Sequence, residues 1–320
     1  MWTFIIRRIL IMIPQIFVLS VVIFFLAQLM PGDALTGLID PNAGPEVQAQ
    51  QRERLGLNDP WYIQYFNWIT NAVQGDFGQS FRYKMDVTAL ISDRIWNTVW
   101  LSVMTLFFTY LLAIPLGIIS GRYNDTMLDR AITGYTYLGF AAPLFIFALL
   151  MVFVFGFNLG WFPTSGSVQP GLTPGTFDYF ISKVYHLILP SLSMALITTV
   201  STVQYLRSEI IDTKHKEFIL TARSKGASES RVYNRHIFRN SLLPIAAFFG
   251  YEITGLIGGT IFIENIFSYP GMGQLFLSSI TQRDTTVVAT LVLLYGMAAI
   301  LGALMSDIIL SIVDPRIRIK

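Results

Sequence analysis

Cysteine is absent from this chain of 320 residues, and charged side chains are scarce. Without thiols the chain has no thiolate nucleophile, no thiolate metal ligand and no internal disulfide. Only 13% of the residues are Asp, Glu, Lys or Arg, about half the share found in a soluble domain. Hydrophobic residues make up 53% of the chain and aromatic residues 14%. This composition excludes a disordered chain, a disulfide-stabilised secreted module and an electrostatic nucleic-acid binder, and it indicates an integral membrane protein.

The chain contains long apolar runs. Each is long enough to cross a bilayer, which takes ~20 residues in a helix. Two of them contain a single acid, Glu252 in one and Asp307 in the other. Because the runs are continuous rather than alternating, and because a helix satisfies its own backbone in lipid, they predict an all-α bundle. The six predicted transmembrane spans cover residues 9–30, 98–120, 131–157, 184–206, 240–263 and 285–313. We therefore expect a single transmembrane domain over residues 1–320.

Basic residues are distributed unequally between the two sides of the predicted bundle. With the N-terminus inside, the inner segments 1–8, 122–130, 207–239 and 314–320 hold 15 of the 22 Lys and Arg residues. The cytoplasmic side of a membrane protein is enriched in these residues. The pattern therefore predicts that the N-terminus and the C-terminus both face the cytoplasm.

The outer segment 31–97 contains a dense group of aromatic residues. The group consists of Trp61, Tyr62, Tyr65, Phe66 and Trp68. Two interpretations fit this group equally well. Either the rings form a belt at the lipid headgroups, where Trp and Tyr are common, or they form a surface to which a partner docks.

The inner segment 207–239 is long for a connection within a compact bundle. Residues 217–225 favour a helix, and Gly226 stands where a glycine commonly ends one. Ser228 can cap a second helix, and Pro244 falls early in the next span. The second helix would carry Arg231, Arg235 and Arg239 on one face. From charge alone, this segment would simply contact anionic lipid headgroups, but a helix, a sharp turn and a basic helix also suit insertion into a groove of a partner.

The detailed sequence of this segment resembles the cytoplasmic coupling loop, or EAA loop, of membrane subunits of binding-protein-dependent ABC importers. Thr221-Ala222 and Gly226 match the small pair and the glycine of that loop, whereas Leu220 stands where the general motif has its first Glu. The run Thr221 to Gly226, followed by Arg235-His236 and the Leu-x-Pro that ends at Pro244, is similar to the peptide-transport branch. In that family the loop helix docks into a groove on an ATP-hydrolysing subunit.

Other motifs extend the resemblance over nearly the whole chain, to the B-type subunit of dipeptide and oligopeptide permeases. They are Met30-Pro31-Gly32-Asp33, Leu55-Gly56-Leu57, Gly75-Asp76-Phe77-Gly78-Gln79-Ser80 and Phe267-Ser268-Tyr269-Pro270-Gly271-Met272-Gly273. The resemblance implies the type I ABC importer permease fold, in the cytoplasmic membrane of a prokaryote. It also implies four kinds of partner: a second homologous permease subunit, two ATP-binding subunits, an extracytoplasmic peptide-binding protein and the lipid bilayer.

By the same resemblance, the inner segment 207–239 transmits the ATP-driven movement to the membrane helices. The residues that we expect to carry this coupling are Glu217, Thr221, Ala222, Arg223, Gly226, Arg231 and Arg235. Arg231 and Arg235 would support the loop or meet the rim of the ATPase.

Acids within or beside the predicted spans are candidates for function, since charge is costly in lipid. Glu252 lies 12 residues after Asn240, ~18 Å along a helix and near mid-bilayer. Its carboxylate would either line the translocation pathway or hydrogen-bond to a neighbouring helix. Asp307, nearer the inner surface, predicts an interfacial or inter-helix polar contact. Glu264, at the outer end of the fifth span, is expected to face water.

Sequence signatures of enzymes are missing from the chain. It has no Gly-x-x-x-x-Gly-Lys-Ser/Thr phosphate loop, no His-Glu-x-x-His and no Gly-x-Ser-x-Gly. We therefore expect no catalytic residue, no metal and no cofactor in this chain, with ATP hydrolysis in partner subunits. The favoured function is the permease subunit of an ATP-driven oligopeptide importer. The alternatives are a permease for dipeptides, nickel or another small solute, and a gradient-driven secondary transporter, which would have inverted repeats and broken helices. A membrane scaffold without transport is disfavoured.

Overall fold

The computed structural model describes residues 2–29, 45–54, 56 and 58–313. Within these residues the regular structure is helical, apart from an isolated bridge between Gln79 and Asp86. The helices are α1 (Trp2–Leu29), α2 (Pro45–Arg54), α3 (Trp61–Val73), α4 (Val87–Arg122), α5 (Met127–Ala141), α6 (Leu144–Met151), α7 (Phe177–Lys214), α8 (Glu217–Ser224), α9 (Glu229–Arg231), α10 (Phe238–Ser241), α11 (Leu243–Ile266), α12 (Met272–Thr281) and α13 (Thr285–Val313). Two π-helical turns, Val152–Asn158 and Val232–Ile237, follow α6 and α9.

Most of the described residues in each predicted span are helical. Within the described part of the chain, α1, α4, α7 and α13 are long and apolar enough to cross a membrane, and a fifth span results if the bent pair α5–α6 is taken as one. The predicted span 240–263 falls largely on α11, which has Pro244 in its first turn, as expected. The all-helical class is confirmed, while the number of six spans stays a prediction. The predicted inner segment 314–320 and the Met30-Pro31-Gly32-Asp33 motif lie outside the described residues.

Two of the helices extend well beyond the spans predicted from apolar runs. α4 begins at Val87, and α7 extends from Phe177 to Lys214. Residues 207–214 of the predicted inner segment therefore continue α7. The apolar run marks only the part of a helix that contacts lipid, whereas backbone hydrogen bonding continues where the helix enters water.

The third predicted span, residues 131–157, is not one straight helix. Its two parts, Met127–Ala141 and Leu144–Asn158, meet at an angle of 108°. The break falls at Ala142-Pro143, where both residues have extended backbone angles. Proline lacks the N–H that a continuous helix needs and disfavours helical geometry in the residue before it. The apolar composition on both sides hid this change of direction.

Buried or partly buried ion pairs join helices toward the predicted inner side. Arg207 on α7 makes two hydrogen bonds of 2.7 Å to the buried carboxylate of Asp129 on α5, and Ser120 donates a third bond of 2.5 Å. Arg8 on α1 pairs with Asp307 on α13 at 3.0 Å. The inter-helix contact predicted for Asp307 is thus confirmed, and these pairs hold α1 to α13 and α5 to α7.

Glu264 is fully buried, so the prediction that it faces water is wrong. Its carboxylate accepts hydrogen bonds from Thr98 Oγ1 at 2.7 Å and from the backbone N–H of Gln274 at 2.9 Å. The two amides of Gly273 and Gln274 begin α12 and direct their N–H groups at this carboxylate. In the sequence, an acidic residue at the end of an apolar run looks like one that faces water. Here hydrogen-bond donors from two other segments enclose the Glu264 carboxylate instead.

Candidate coupling surface and membrane carboxylate

Helix α8 lies on a hydrophobic cluster that connects it to the membrane helices. Ile219 is fully buried in this cluster. Its buried neighbours are Leu206, Ile210, Val232, Ile237 and Ile245. Burying one such side chain contributes about 1.5–3 kcal/mol. Ile219 therefore joins α8 to α7 and α11, which supply three of these neighbours.

The outward side of α8 is accessible. Glu217, Thr221 and Arg223 are exposed, and Leu220 and Phe218 expose 56% and 41% of their surface. Ala222 is half-buried between this side and the cluster. Leu220 and Phe218 lie on opposite edges of this exposed side, about 200° apart around the helix axis, with the charged and polar residues between and beside them.

Gly226 ends the α8 segment in the conformation that the sequence predicts. Its φ is +76°, and its N–H donates to the Arg223 carbonyl at 2.9 Å. The next N–H, of Ala227, donates to the Ala222 carbonyl at 3.2 Å. These two bonds define a Schellman motif, which glycine adopts without steric cost. The sharp turn after α8 therefore depends on the residue type at this position.

An ion pair spans the turn between α8 and α9. Arg223 Nε and the terminal nitrogen Nη2 donate to the two carboxylate oxygens of Glu229 at 2.8 and 3.2 Å. These hydrogen bonds raise the pKa of the Arg223 guanidinium above its ordinary value. Both side chains are largely exposed, so the pair contributes at most about 1 kcal/mol. Arg223, predicted as a coupling residue, thus braces the turn.

The second helix of the predicted pair is less regular than expected. Ser228 occupies the N-cap position of α9, but the chain then forms the π-helical turn Val232–Ile237 before α10. Arg231 and Arg235 are exposed. The expectation of one regular α-helix with arginines at every fourth position needs correction, because the π turn changes the angular spacing of the side chains.

Arg122 at the end of α4 contacts this segment, and Lys214 at the end of α7 contacts α4 and the residues that follow it. The Arg122 guanidinium lies 4.7 Å from the ring centre of Tyr233. Burial raises the pKa of the Tyr233 hydroxyl above its ordinary value. Lys214 Nζ donates to the Arg122 carbonyl at 2.9 Å and to Asn124 Oδ1 at 2.7 Å. The α8–α10 segment is therefore braced against α4 as well as α7.

A surface groove lies beside α8, on the same side as the glycine turn. Its apolar floor is formed by Phe218, Ala222 and Ala227, with Gly226 at the turn. Its basic or titratable side chains are Lys225, Arg231 and His236. Four of the residues predicted to carry coupling, Thr221, Ala222, Gly226 and Arg231, thus lie around one concave surface.

Glu252 belongs to a polar cluster that joins three helices within the bundle. The Tyr110 hydroxyl on α4 donates to Glu252 Oε2, and Thr202 Oγ1 on α7 donates to Glu252 Oε1 at 2.8 Å. Of the two interpretations of this acid, the hydrogen bond to neighbouring helices is present. Glu252 is only partly buried. Its place in a translocation pathway stays a prediction.

Tyr110 links the two predicted sites. Its ring packs against the hydrophobic cluster that holds Ile219, and its hydroxyl binds Glu252. The ring also stands beside Phe249 at 5.5 Å, at an apolar groove between α4 and α11. A continuous set of packed side chains therefore leads from the coupling helix to the carboxylate in the membrane.

Sequence reasoning missed Asp129, Arg207 and the role of Glu264. The glycines of the motif at residues 267–273 were the local signal for Glu264. A Cβ added at Gly271 would collide with the Glu264 carboxylate, and one added at Gly273 would lie 2.6 Å from Ile261 Cα. The glycines of this motif thus mark the place where the buried carboxylate fits. Within the described ranges, no group of three His, Asp or Glu side chains is arranged to bind a metal ion.

Comparison with known families and proteins gives matches over almost the entire chain. Residues 113–319 match the model described as binding-protein-dependent transport system inner membrane component, and residues 1–102 match its N-terminal counterpart. The chain is 38% identical over 318 residues to the oligopeptide transport system permease protein AppB of Bacillus subtilis strain 168, covering 99% of both chains. It is 32% identical to the glutathione transport system permease protein GsiC of Escherichia coli strain K12, over 100% of both chains.

Among solved structures, an inward-facing form of the MetNI methionine ABC transporter has a similar fold. The TM-score is 0.56 at 15% sequence identity, and the match covers 70% of this chain and 96% of that one. At this identity the likeness concerns the fold alone, and it agrees with the helical arrangement described above.

Proposed function

The chain belongs to the family of binding-protein-dependent transport system inner membrane components, and from that premise we propose that it is a permease subunit of an ATP-driven oligopeptide importer. The protein is a multi-pass component of the bacterial inner membrane. Its full-length relatives are named as permease proteins of transport systems. The energy for transport therefore comes from other subunits.

The exposed helix α8, held on a core cluster of the bundle, is the observation that carries the mechanism. In this proposal an ATP-binding subunit receives α8 in a groove and displaces it when ATP binds. The buried Ile219 transfers that displacement to α7 and α11, and Tyr110 transfers it to Glu252. Because packed interiors are stiff, a movement of α8 shifts these helices rather than being absorbed locally.

Individual coupling residues have different parts in this proposal. Leu220 and Phe218 supply apolar contact with the ATPase, and Glu217 and Thr221 lie beside them on the exposed side. Gly226 sets the turn. Three further residues surround the turn and its groove: Ala222, Arg223 and Arg231. Arg235 lies on the following π-helical turn, where it meets the rim of the ATPase.

The complete transporter in this proposal has this chain paired with a second, similar but distinct permease subunit. Two ATP-binding subunits bind the cytoplasmic side, and an extracytoplasmic peptide-binding protein delivers the substrate. Oligopeptide would cross between the two permeases, with Glu252 beside the pathway, where its carboxylate can attract the ammonium group of a peptide. Specificity would reside mainly in the binding protein.

A narrower solute range is the second candidate, favoured by the relative named as a glutathione transport permease at 32% identity. Glutathione is itself a small peptide, so this candidate differs in substrate size rather than in mechanism. A gradient-driven carrier would have broken helices, and the break at Ala142-Pro143 is one. The match to the importer family along the chain favours the ATP-driven mechanism.

The proposal is tested by isolating the tagged chain with the subunits that accompany it and reconstituting the complex in vesicles. We expect ATP-binding subunits and a second permease to co-purify, and peptide uptake to require both ATP and the binding protein. Uptake driven by an ion gradient through the isolated chain would contradict the proposal. Omitting ATP, with all subunits present, is the matched control.

A further inference from the structure

Helix α3 is a short helix without charged residues in the outer segment, and its surface divides into three faces. One face packs on α1, where the hydroxyl groups of Tyr65 and Ser20 are 2.7 Å apart. The ring centres of Tyr65 and Trp68 lie 5.4 and 6.0 Å from that of Phe24. The contact face is therefore formed by aromatic rings that interlock with α1.

A second face of α3 is apolar and exposed. Tyr62, Phe66 and Val73 expose 56%, 64% and 82% of their surface. At 100° per residue these three positions lie within about 40° of one another around the helix axis. A third face carries Asn67 and Asn71, both exposed. Such a division, with an apolar stripe beside a polar stripe, is found in helices that lie where lipid meets water.

The height of α3 along α1 supports the same placement. α1 ends at Leu29, near the outer end of the first apolar run. Its contacts with α3 run from Gln28, at the end of the helix, through Phe24, ~7.5 Å along the axis, to Ser20, ~13.5 Å along it. Interfacial helices bury their apolar face about 5–10 Å into the boundary between headgroups and acyl chains. α3 is thus attached to the outer half of the predicted first span, with its contacts extending from the headgroup level into the depth of the outer leaflet.

The exposed side of α3 is continuous with the outward side of α1. Trp61 on α3 stacks beside Phe25 on α1, with ring centres 5.5 Å apart. Around Phe25, the side chains of Val22 and Leu26 are also exposed. α1 is a candidate membrane span whose most apolar window is only 17% buried. Lipid that covers α1 on this side would therefore also reach the exposed side of α3.

We propose that α3 is an interfacial helix embedded in the outer leaflet, with the stripe of Tyr62, Phe66 and Val73 against lipid and Asn67 and Asn71 toward water. This inference rests on the position of α3 beside a membrane span and not on the proposed transport function. The segment after α3 reaches Ser80, whose hydroxyl donates to Asp284 at 2.5 Å just before α13. A helix anchored in lipid would therefore fix the outer segment over the α12–α13 turn.

Spin labelling tests this inference directly, because the chain contains no cysteine to remove. Phe66→Cys and Asn67→Cys, at adjacent positions on the lipid and water faces, are labelled in the assembled transporter in lipid nanodiscs. Power-saturation EPR then compares collisions with oxygen, which concentrates in lipid, and with a water-soluble nickel chelate. We expect oxygen collisions to exceed nickel collisions several-fold at Phe66, and the opposite ratio at Asn67.

Val73→Cys, on the same stripe, repeats the measurement if the label at Phe66 prevents assembly. A label on the stripe that collides freely with the nickel chelate would place α3 in water and overturn the inference. A label shielded from both reagents would show that a protein partner covers the stripe, and would also overturn it. ATP-driven uptake by the same variants in proteoliposomes reports on the proposed function separately.

Discussion

Replacing Gly226 by residues of graded backbone tolerance should reduce coupling between ATP hydrolysis and uptake in a fixed order. The φ of Gly226 is +76°, and no described atom lies within 4 Å of a Cβ added there. The penalty of a substitution is therefore conformational rather than steric. An L-residue in this region costs about 1–2 kcal/mol, Asn less, and a β-branched residue more.

These costs lower the fraction of molecules in which the turn is formed, and the proposed docking into the ATPase groove requires the formed turn. A strain of about 1–2 kcal/mol lowers the population of the formed turn by about 5- to 30-fold. Asn tolerates a positive φ best among the non-glycine residues, so Gly226→Asn is the matched control for bulk and polarity. We expect the coupling efficiency to fall in the order Gly226, Gly226→Asn, Gly226→Ala, Gly226→Val.

The assay measures peptide taken up per ATP hydrolysed by the complex in proteoliposomes. Thermal unfolding of each variant is measured in parallel, and we expect it to change little because Gly226 is exposed. Equal coupling in the Asn and Val variants would refute the reasoning, since their backbone tolerances differ most.

Two further substitutions probe polar contacts within the bundle. Asp129→Asn should lower the free energy of unfolding by about 3–5 kcal/mol, because it leaves the Arg207 guanidinium without its carboxylate. Adding Arg207→Gln should recover part of that loss, as measured by thermal unfolding. No recovery in the double variant would contradict the pairing. Glu252→Gln keeps a partner for Tyr110 and Thr202 but removes the charge, so uptake of peptides with a free ammonium group should fall more than uptake of blocked peptides. Unchanged uptake of both kinds of peptide would exclude Glu252 from the pathway.

Features set by neighbouring residues in the chain could be predicted from the sequence. Gly226 was recognisable because a positive φ after a helix is a local demand that glycine meets. The apolar spans were recognisable because lipid imposes a length and a composition. The helix 217–225 was predicted within a residue of its observed end at Ser224.

Features set by distant segments could not be predicted. The carboxylate of Glu264 is buried by Thr98 and by the amides that begin α12, and each of these contacts joins separate parts of the chain. Asp129 and Arg207 lie on different helices, and neither stands out in a single sequence. The bend at Ala142-Pro143 was concealed because proline is common in membrane helices, where it does not always redirect the chain.

The central claim is that the exposed side of α8 docks on an ATP-binding subunit, and a cross-link from Leu220 tests it most directly. Leu220→Cys, at a position 56% exposed, introduces the single cysteine of this subunit, and a short photoactivatable cross-linker is attached to it. The matched control is Val73→Cys, at an exposed position on the predicted outer side. We predict an adduct between Leu220→Cys and an ATP-binding subunit whose yield changes with nucleotide, and no such adduct from Val73→Cys. An assembled, active transporter that gives no adduct from Leu220→Cys would contradict the account.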